Sequence, residues 1–202
     1  MKRVLPLVLA LAAIAPAHAD QAGPWQIKVG LHVVDPKSDN GTLADGALKT
    51  KVDSAWGPTF ALEYAVSRNL GVEVLAALPF KHDVELNGAK AATVKHLPPT
   101  VSLNWHFAPD AKVNPFLGLG VNYTRFFSID EKGPIEGAQL NLDASWGLAA
   151  HAGLEFSFDP RWSLIADVRW IDIETDAKVN GAKVGTVKID PLVYGVAFGY
   201  RF

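Results

Sequence analysis

Apolar and polar side chains alternate with a period of two along most of the chain. Trp25, Ile27, Val29, Leu31 and Val33 interleave with Gln26, Lys28, Gly30 and His32, and the same beat runs through Leu70, Val72, Val74, Ala76, Leu78 and Phe80. It returns in Leu97, Val101, Leu103, Trp105 and Phe107, in Leu117, Leu119, Val121 and Tyr123, and at the end in Leu192, Tyr194, Val196, Phe198, Tyr200 and Phe202. Side chains repeat every second residue in a strand and every 3.6 in a helix, so this is strand periodicity. Eight strands are predicted, over 25–35, 54–66, 70–80, 94–107, 115–127, 140–158, 161–174 and 186–202. Their connections alternate between short turns (67–69, 108–114, 159–161) and long loops (36–53, 81–93, 128–139, 175–185) that carry much of the charge. An Asn-Gly-Ala-Lys stretch occurs at 87–90 and again at 180–183, each followed by Thr-Val-Lys. Asn-Gly tolerates positive φ at both turn positions, so one tight turn used twice is expected.

The two faces of these strands differ in bulk. Opposite the aromatic and branched residues stand Gly57, Ala61, Ala65, Gly71, Gly118, Gly120, Gly147, Ala149, Gly153, Gly195 and Gly199. A solvent-facing surface would be rich in Lys and Glu, as on a soluble lipocalin-like barrel, whereas small residues suit the crowded interior of an eight-stranded barrel. The bulky face then meets lipid. Aromatics fall at two heights: Trp25, Trp105, Phe158, Trp162, Tyr200 and Phe202 at the short-turn end, and Trp56, Phe80, Tyr123, Trp146 and Trp170 further along the strands. That spacing matches two interfacial girdles separated by the ~9–11 residues of a tilted spanning strand. The fold class expected is all-β, an eight-stranded antiparallel transmembrane β-barrel with both ends on the short-turn, periplasmic side. Arg125 is the one charge in the outward register, high enough to reach lipid headgroups.

The start of the chain sets the compartment. Lys2-Arg3, the apolar run 4–14 and Ala17-His18-Ala19 have the layout of a secretory signal peptide over 1–19, leaving a barrel over 20–202. The run is too short for the ~20 residues of a spanning helix. The chain has no cysteine, which excludes a disulfide scaffold and a thiolate metal site. Its net charge of −2, without a basic face, argues against nucleic acid as a partner.

The inward register carries Lys28, Glu63, Glu73, His106, Glu155, Asp167, Arg169 and Arg201 toward the periplasmic half. Desolvated charges need partners, so Lys28, Glu63, Glu73, Glu155, Asp167, Arg169 and Arg201 are expected to pair as a plug across the lumen. The upper inward positions are apolar: Val34, Leu75, Pro79, Pro98, Phe126, Ile171, Pro191 and Val193. Barrel enzymes that modify lipid A need a serine within reach of a histidine. His32, His96, His106 and His151 are followed two residues on by Val34, Pro98, Ala108 and Gly153, so the deacylase spacing is missing and no enzyme is expected. No two histidines stand at a ligand spacing, so neither metal nor cofactor is expected.

Lys95-His96-Leu97-Pro98-Pro99-Thr100, the run from Asn114-Pro115-Phe116 to Tyr123-Thr124, Ser145-Trp146-Gly147 and the ending from Lys188-Ile189-Asp190-Pro191 to Tyr200-Arg201-Phe202 resemble the outer-membrane protein W (OmpW) family over nearly the whole chain. The resemblance implies a monomeric outer-membrane barrel that passes small hydrophobic molecules sideways through its wall into the membrane. The alternative is a structural, adhesive or receptor barrel without transport. Proline lacks the N–H of a ladder bond, so Pro58, Pro79, Pro98 and Pro99 are expected to mark a lateral opening around strands two to four. Val34, Leu75, Pro79, Pro98, Phe126, Ile171 and Val193 are expected to line the solute's path. The terminal Tyr200 and Phe202 resemble the signal read by the barrel-assembly machinery. Outer-membrane lipid, lipopolysaccharide and that machinery are the other partners expected.

Overall fold

The computed structural model describes residues 23–202. The signal-peptide expectation for 1–19 lies outside the described residues. Eight strands close the membrane wall: β1 (Trp25–Asp35), β4 (Ala55–Ala65), β5 (Leu70–Ala77), β8 (Thr100–His106), β9 (Val113–Glu131), β11 (Ser145–Ser157), β12 (Trp162–Ile171) and β15 (Leu192–Arg201). Each pairs antiparallel with the next, and β15 returns to β1 in register from Gln26↔Arg201 to Asp35↔Leu192. Closure leaves no free edge, the condition for a sheet to survive in hydrocarbon. The two ends meet at the short-turn side, where Trp25 and Phe202 exchange backbone hydrogen bonds of 3.3 and 2.8 Å.

The outward face is the bulky one. Leu119 is 72% exposed, and Val101, Leu103, Leu117, Leu154, Val196 and Phe198 share its surface. Trp56 and Trp146, each 73% exposed, stand with Trp170 at the upper girdle, and Trp25, Trp105, Trp162 and Phe202 at the lower. Inside, the glycines are where they are because nothing larger fits. A Cβ on Gly71 would overlap the Glu63 carboxylate, and one on Gly118 would overlap the His151 imidazole.

The expected long loops are mostly strands. Above the upper girdle the wall continues through β2 (Thr42–Leu43), β3 (Leu48–Val52), β6 (Phe80–Leu86), β7 (Ala89–Leu97), the end of β9, β10 (Leu140–Leu142), β13 (Glu174–Val179) and β14 (Ala182–Lys188). There the facing reverses. Lys81 and Lys95 point out while His82, Leu86, Ala92, Val94, Ala177 and Val187 are buried inside. Each stretch of wall obeys its surroundings: apolar side chains face out in lipid and face in above it. Two expectations are corrected by this change. Phe80 belongs to no girdle; it is 3% exposed inside the barrel. The strand breaks at residues 78–79, and a one-residue slip moves every following side chain to the other face. By the same slip Pro79 is exposed on the outside and lines no lumen path.

The repeated turns are equivalent down to their ties. Asn87 and Asn180 have φ of 51° and 50°, and Gly88 and Gly181 follow at 80° and 84°. Each asparagine Oδ1 accepts a bond from a neighbouring segment, from Lys49 N at 2.8 Å and from Gln139 N at 2.9 Å. Below each tip an aspartate holds a lysine and a threonine: Asp83 with Lys90 and Thr93 (2.5 and 2.8 Å), Asp176 with Lys183 and Thr186 (2.6 and 2.7 Å).

Candidate functional site: a charged plug, an apolar chamber and a broken wall

The lower lumen is closed by charge. Lys28 Nζ lies 2.5 Å from Glu63 Oε2 and 2.7 Å from Glu73 Oε2. Arg169 Nη2 lies 2.8 Å from Glu73 Oε1 but 3.9 Å from Asp167 Oδ2. Asp167 instead takes His32 Nε2 at 2.9 Å, and His32 Nδ1 meets Thr59 Oγ1 at 2.6 Å. His106 Nε2 is 2.6 Å from Glu63 Oε1. Glu155 accepts from Gln26 Nε2 at 2.5 Å and faces Arg201 at 4.0 Å. All seven residues expected in the plug are thus inward. Lys28, Glu63, Glu73, Asp167 and Arg169 form one connected network, and Glu155 with Arg201 forms a looser outpost nearer the periplasmic mouth. Sequence reading passed over Gln26, His32 and Asn104, whose amide donates to Glu63 at 3.1 Å. Their inward parity was the available signal. Above the network a 30 Å³ cavity touches Leu75, Val193, Asp167 and Arg169, room for about one or two waters.

The upper lumen is a different solvent. A cavity of 240 Å³ is walled by Leu43, Val52, Leu86, Ala92, Phe126 and Val187 among other apolar side chains. Beneath it Val34, Ile171, Val193 and Phe80 are buried in one continuous apolar cluster that separates chamber from plug. Of the residues expected along the path, Phe126 lines the chamber, Val34, Ile171 and Val193 form its floor, and Leu75 belongs to the small lower cavity. The chamber comes mainly from segments read as loops. Their alternation was present, as in Lys81-His82-Asp83-Val84-Glu85-Leu86, but with polarity opposite to that of the membrane strands.

The ladder fails where the prolines stand. Pairing of the third and fourth wall strands stops at Leu75↔Thr100 and resumes at Phe80↔His96, so residues 76–79 and 97–99 have no mutual ladder pairs. Pro98 is buried, and its carbonyl and that of Pro99 accept from Asn122 Nδ2 at 3.0 and 3.1 Å, which turns them toward the fifth strand. A second seam lies beside the first. Leu78 N donates to Pro58 O at 3.1 Å, and above it residues 55–57 find no ladder partner in β6. The Phe80 ring fills this seam; a Cβ on Gly57 would stand 3.2 Å from it. Pro58, Pro79, Pro98 and Pro99 therefore all border the two interruptions. At the chain's end Tyr200 packs on Trp162 with ring centroids 4.7 Å apart, and Phe202 is 44% exposed on the outer face.

A closed, eight-stranded antiparallel barrel with an apolar belt and two aromatic girdles is an outer-membrane protein, its short turns and both ends periplasmic. The comparison with known proteins narrows the class. The OmpW family model matches residues 21–202, and the chain belongs to that family. It is 35% identical to outer membrane protein W of Escherichia coli over 100% of both chains. The Vibrio cholerae protein of the same name is 34% identical over 96% of each chain. The crystal structure of OprG from Pseudomonas aeruginosa aligns with a TM-score of 0.80 at 33% identity, covering 90% of this chain and 97% of that one.

Proposed function

We propose that this barrel passes small hydrophobic molecules from outside the cell into the outer membrane through its side wall. The observation that carries the reading is the juxtaposition of an apolar chamber with a charged floor and an interrupted wall. A solute that leaves water for the chamber gains about 25 cal/mol for each Å² of apolar surface removed from water. Straight passage downward would take it into the ion-pair network, where it would displace hydrogen-bonded charge partners without replacing them. The interruptions beside Phe80 and at residues 76–79 and 97–99 lie at the chamber's foot, at the height of the upper aromatic girdle. Sideways exit therefore keeps the solute apolar-solvated throughout. No enzymatic step is part of this reading.

The test is uptake of a small apolar compound by cells with and without the protein. Phe126→Lys places a charge in the chamber wall and should reduce uptake to that of cells lacking the barrel, with heat-dependent gel migration reporting an intact fold. Pro98→Ala and Pro99→Ala restore backbone donors at the wall break and should slow uptake without emptying the chamber. Unchanged uptake with the Lys variant would refute this route. No difference between cells with and without the protein would favour the structural or adhesive barrel.

A further inference from the structure

Three cations stand together on the outer wall with no carboxylate to hold them. Lys81 of β6 and Lys95 of β7 are directly opposite one another in the ladder, and both are exposed on the outside. Side chains so placed start about 5 Å apart, and like charges there are destabilising. Arg125 of β9 is exposed on the same face. It pairs with Leu97 while Lys95 pairs with Phe127, so Arg125 and Lys95 are diagonal neighbours, about 7–8 Å apart and within reach of long side chains. The neighbouring acids are engaged elsewhere. Asp83, two residues above Lys81, holds Lys90 and Thr93 at 2.5 and 2.8 Å, and Glu85 faces Lys51 at 3.7 Å. Asp130 holds Lys132 at 3.1 Å, and Asp143 holds Lys178 at 2.6 Å. Among the described residues none pairs with Lys81, Lys95 or Arg125.

The height is that of lipid headgroups. Arg125 lies two residues above Tyr123, which pairs with Trp146 in the upper girdle, and the exposed Val101, Val121 and Leu148 lie in the belt below. Leu97 and Phe127, beside the cations, add apolar surface at the same level. Across the barrel the same height is acidic: Asp35 and Asp172 stand two residues above Val33 and Trp170 on the outer face. The positive charge is therefore a one-sided patch and not a ring of snorkelling side chains.

We infer that Lys81, Lys95 and Arg125 form a docking site for the phosphomonoester of an outer-leaflet glycolipid, the phosphorylated glucosamine of lipid A. Three cations match a group that carries about −1.5 to −2 charges on three free oxygens, whereas a phosphodiester headgroup offers a single charge. A phosphate between Lys81 and Lys95 turns their mutual repulsion into two attractions, and the Arg125 guanidinium can take two oxygens at once from below. The acyl chains then run down the apolar belt, a contact that free phosphate lacks. The bound headgroup stands over the wall break at 97–99. The site gives a place and a chemistry to the lipopolysaccharide contact expected from the sequence, and it does not depend on whether solutes pass through the barrel.

The probe is lipid A bearing both phosphates, added to the full barrel in nonionic detergent micelles and counted by native mass spectrometry. Lipid A stripped of phosphate, phosphatidylglycerol and inorganic phosphate are the comparisons. With about fivefold in affinity from each cation near a charged headgroup, the wild type should hold lipid A about a hundredfold more tightly than the stripped lipid. Phosphatidylglycerol should bind about tenfold more weakly than lipid A, and inorganic phosphate at equal concentration should not displace it. Lys81→Gln, Lys95→Gln and Arg125→Gln should each weaken lipid A binding about fivefold. Lys51→Gln and Lys90→Gln, which remove cations already held by carboxylates higher on the same wall, should leave it unchanged. Equal retention of the stripped lipid or of phosphatidylglycerol would overturn the assignment, and so would an equal loss with Lys90→Gln. Should a variant fail to show heat-dependent gel migration, the wild-type lysine ¹⁵Nζ signals decide. Those of Lys81 and Lys95 should shift with lipid A and not with the stripped lipid, and unmoved signals would overturn the site.

Discussion

Glu73 is the place to test the plug. Its carboxylate, 3% exposed, is shared between Lys28 at 2.7 Å and Arg169 at 2.8 Å. At an effective dielectric constant of about 20, unit charges 2.8 Å apart attract by about 6 kcal/mol, most of which offsets the cost of taking both from water. Removing one partner strands the other, and that loss is about 3–5 kcal/mol for a fully buried pair. Arg169→Met keeps the volume and leaves Glu73 with Lys28 as its one cation; about 3 kcal/mol should be lost. Glu73→Gln leaves Arg169 with Asp167, at 3.9 Å, as its remaining carboxylate, and should cost nearer 4 kcal/mol. Arg169 is needed chiefly because Glu73 is charged, so the double variant should lose about 2 kcal/mol less than the sum. The parallel cycle of Arg169→Met with Asp167→Asn should show much weaker coupling, because Asp167 is held by His32. The measurement is the urea unfolding midpoint of the barrel refolded into lipid vesicles. Strict additivity for Arg169 and Glu73, or stronger coupling to Asp167, would mean that the network is not what holds the lower lumen shut.

Two further predictions concern the wall. Leu119→Arg, at a 72% exposed position in the membrane belt, should destabilise the barrel by about 2–4 kcal/mol, whereas Lys81→Leu, above the girdle, should change the unfolding midpoint little; equal effects would contradict the reversal of facing. Asn87→Ala and Asn180→Ala each put alanine at a φ near 50° and remove the tie to the next segment, so each should cost about 1–3 kcal/mol in extracellular-hairpin stability, read as matched gains in hydrogen exchange at the two tips; a large effect at one tip alone would break the equivalence.

The period of two was enough for the membrane wall because lipid enforces it: an outward charge there is costly, so Ile27, Val29 and Leu31 cannot trade faces with Lys28 and Gly30. Parity also places Lys28, Glu73 and Arg169 in one lumen. It does not say which carboxylate meets which cation, since Glu73 and Arg169 are 96 residues apart and meet across the barrel through strand stagger. The failures lie where the governing rule changes. Phe80 and Pro79 follow a break in the strand, and a parity argument carries no memory across a slip. The chamber was hidden because its strands face water outside, so they look like ordinary soluble strands, and their charge was read as a mark of loops. The meeting of Lys81, Lys95 and Arg125 needs pairing registers on both sides of β7 and could not be read from spacing.

The reversal of facing also acts as a waterline. A single ring around the barrel separates wall that dissolves in hydrocarbon from wall that does not. Sinking by one pleat, about 5 Å along the membrane normal for a tilted strand, would drag Lys81 and Lys95 into acyl chains; rising by as much would lift Trp56 and Leu148 out of them. Both displacements are opposed, so the barrel floats at one depth. Leu78 and the Pro98-Pro99 break hang just beneath that line, and they stay level with the same layer of lipid even where a membrane thickens or thins around them.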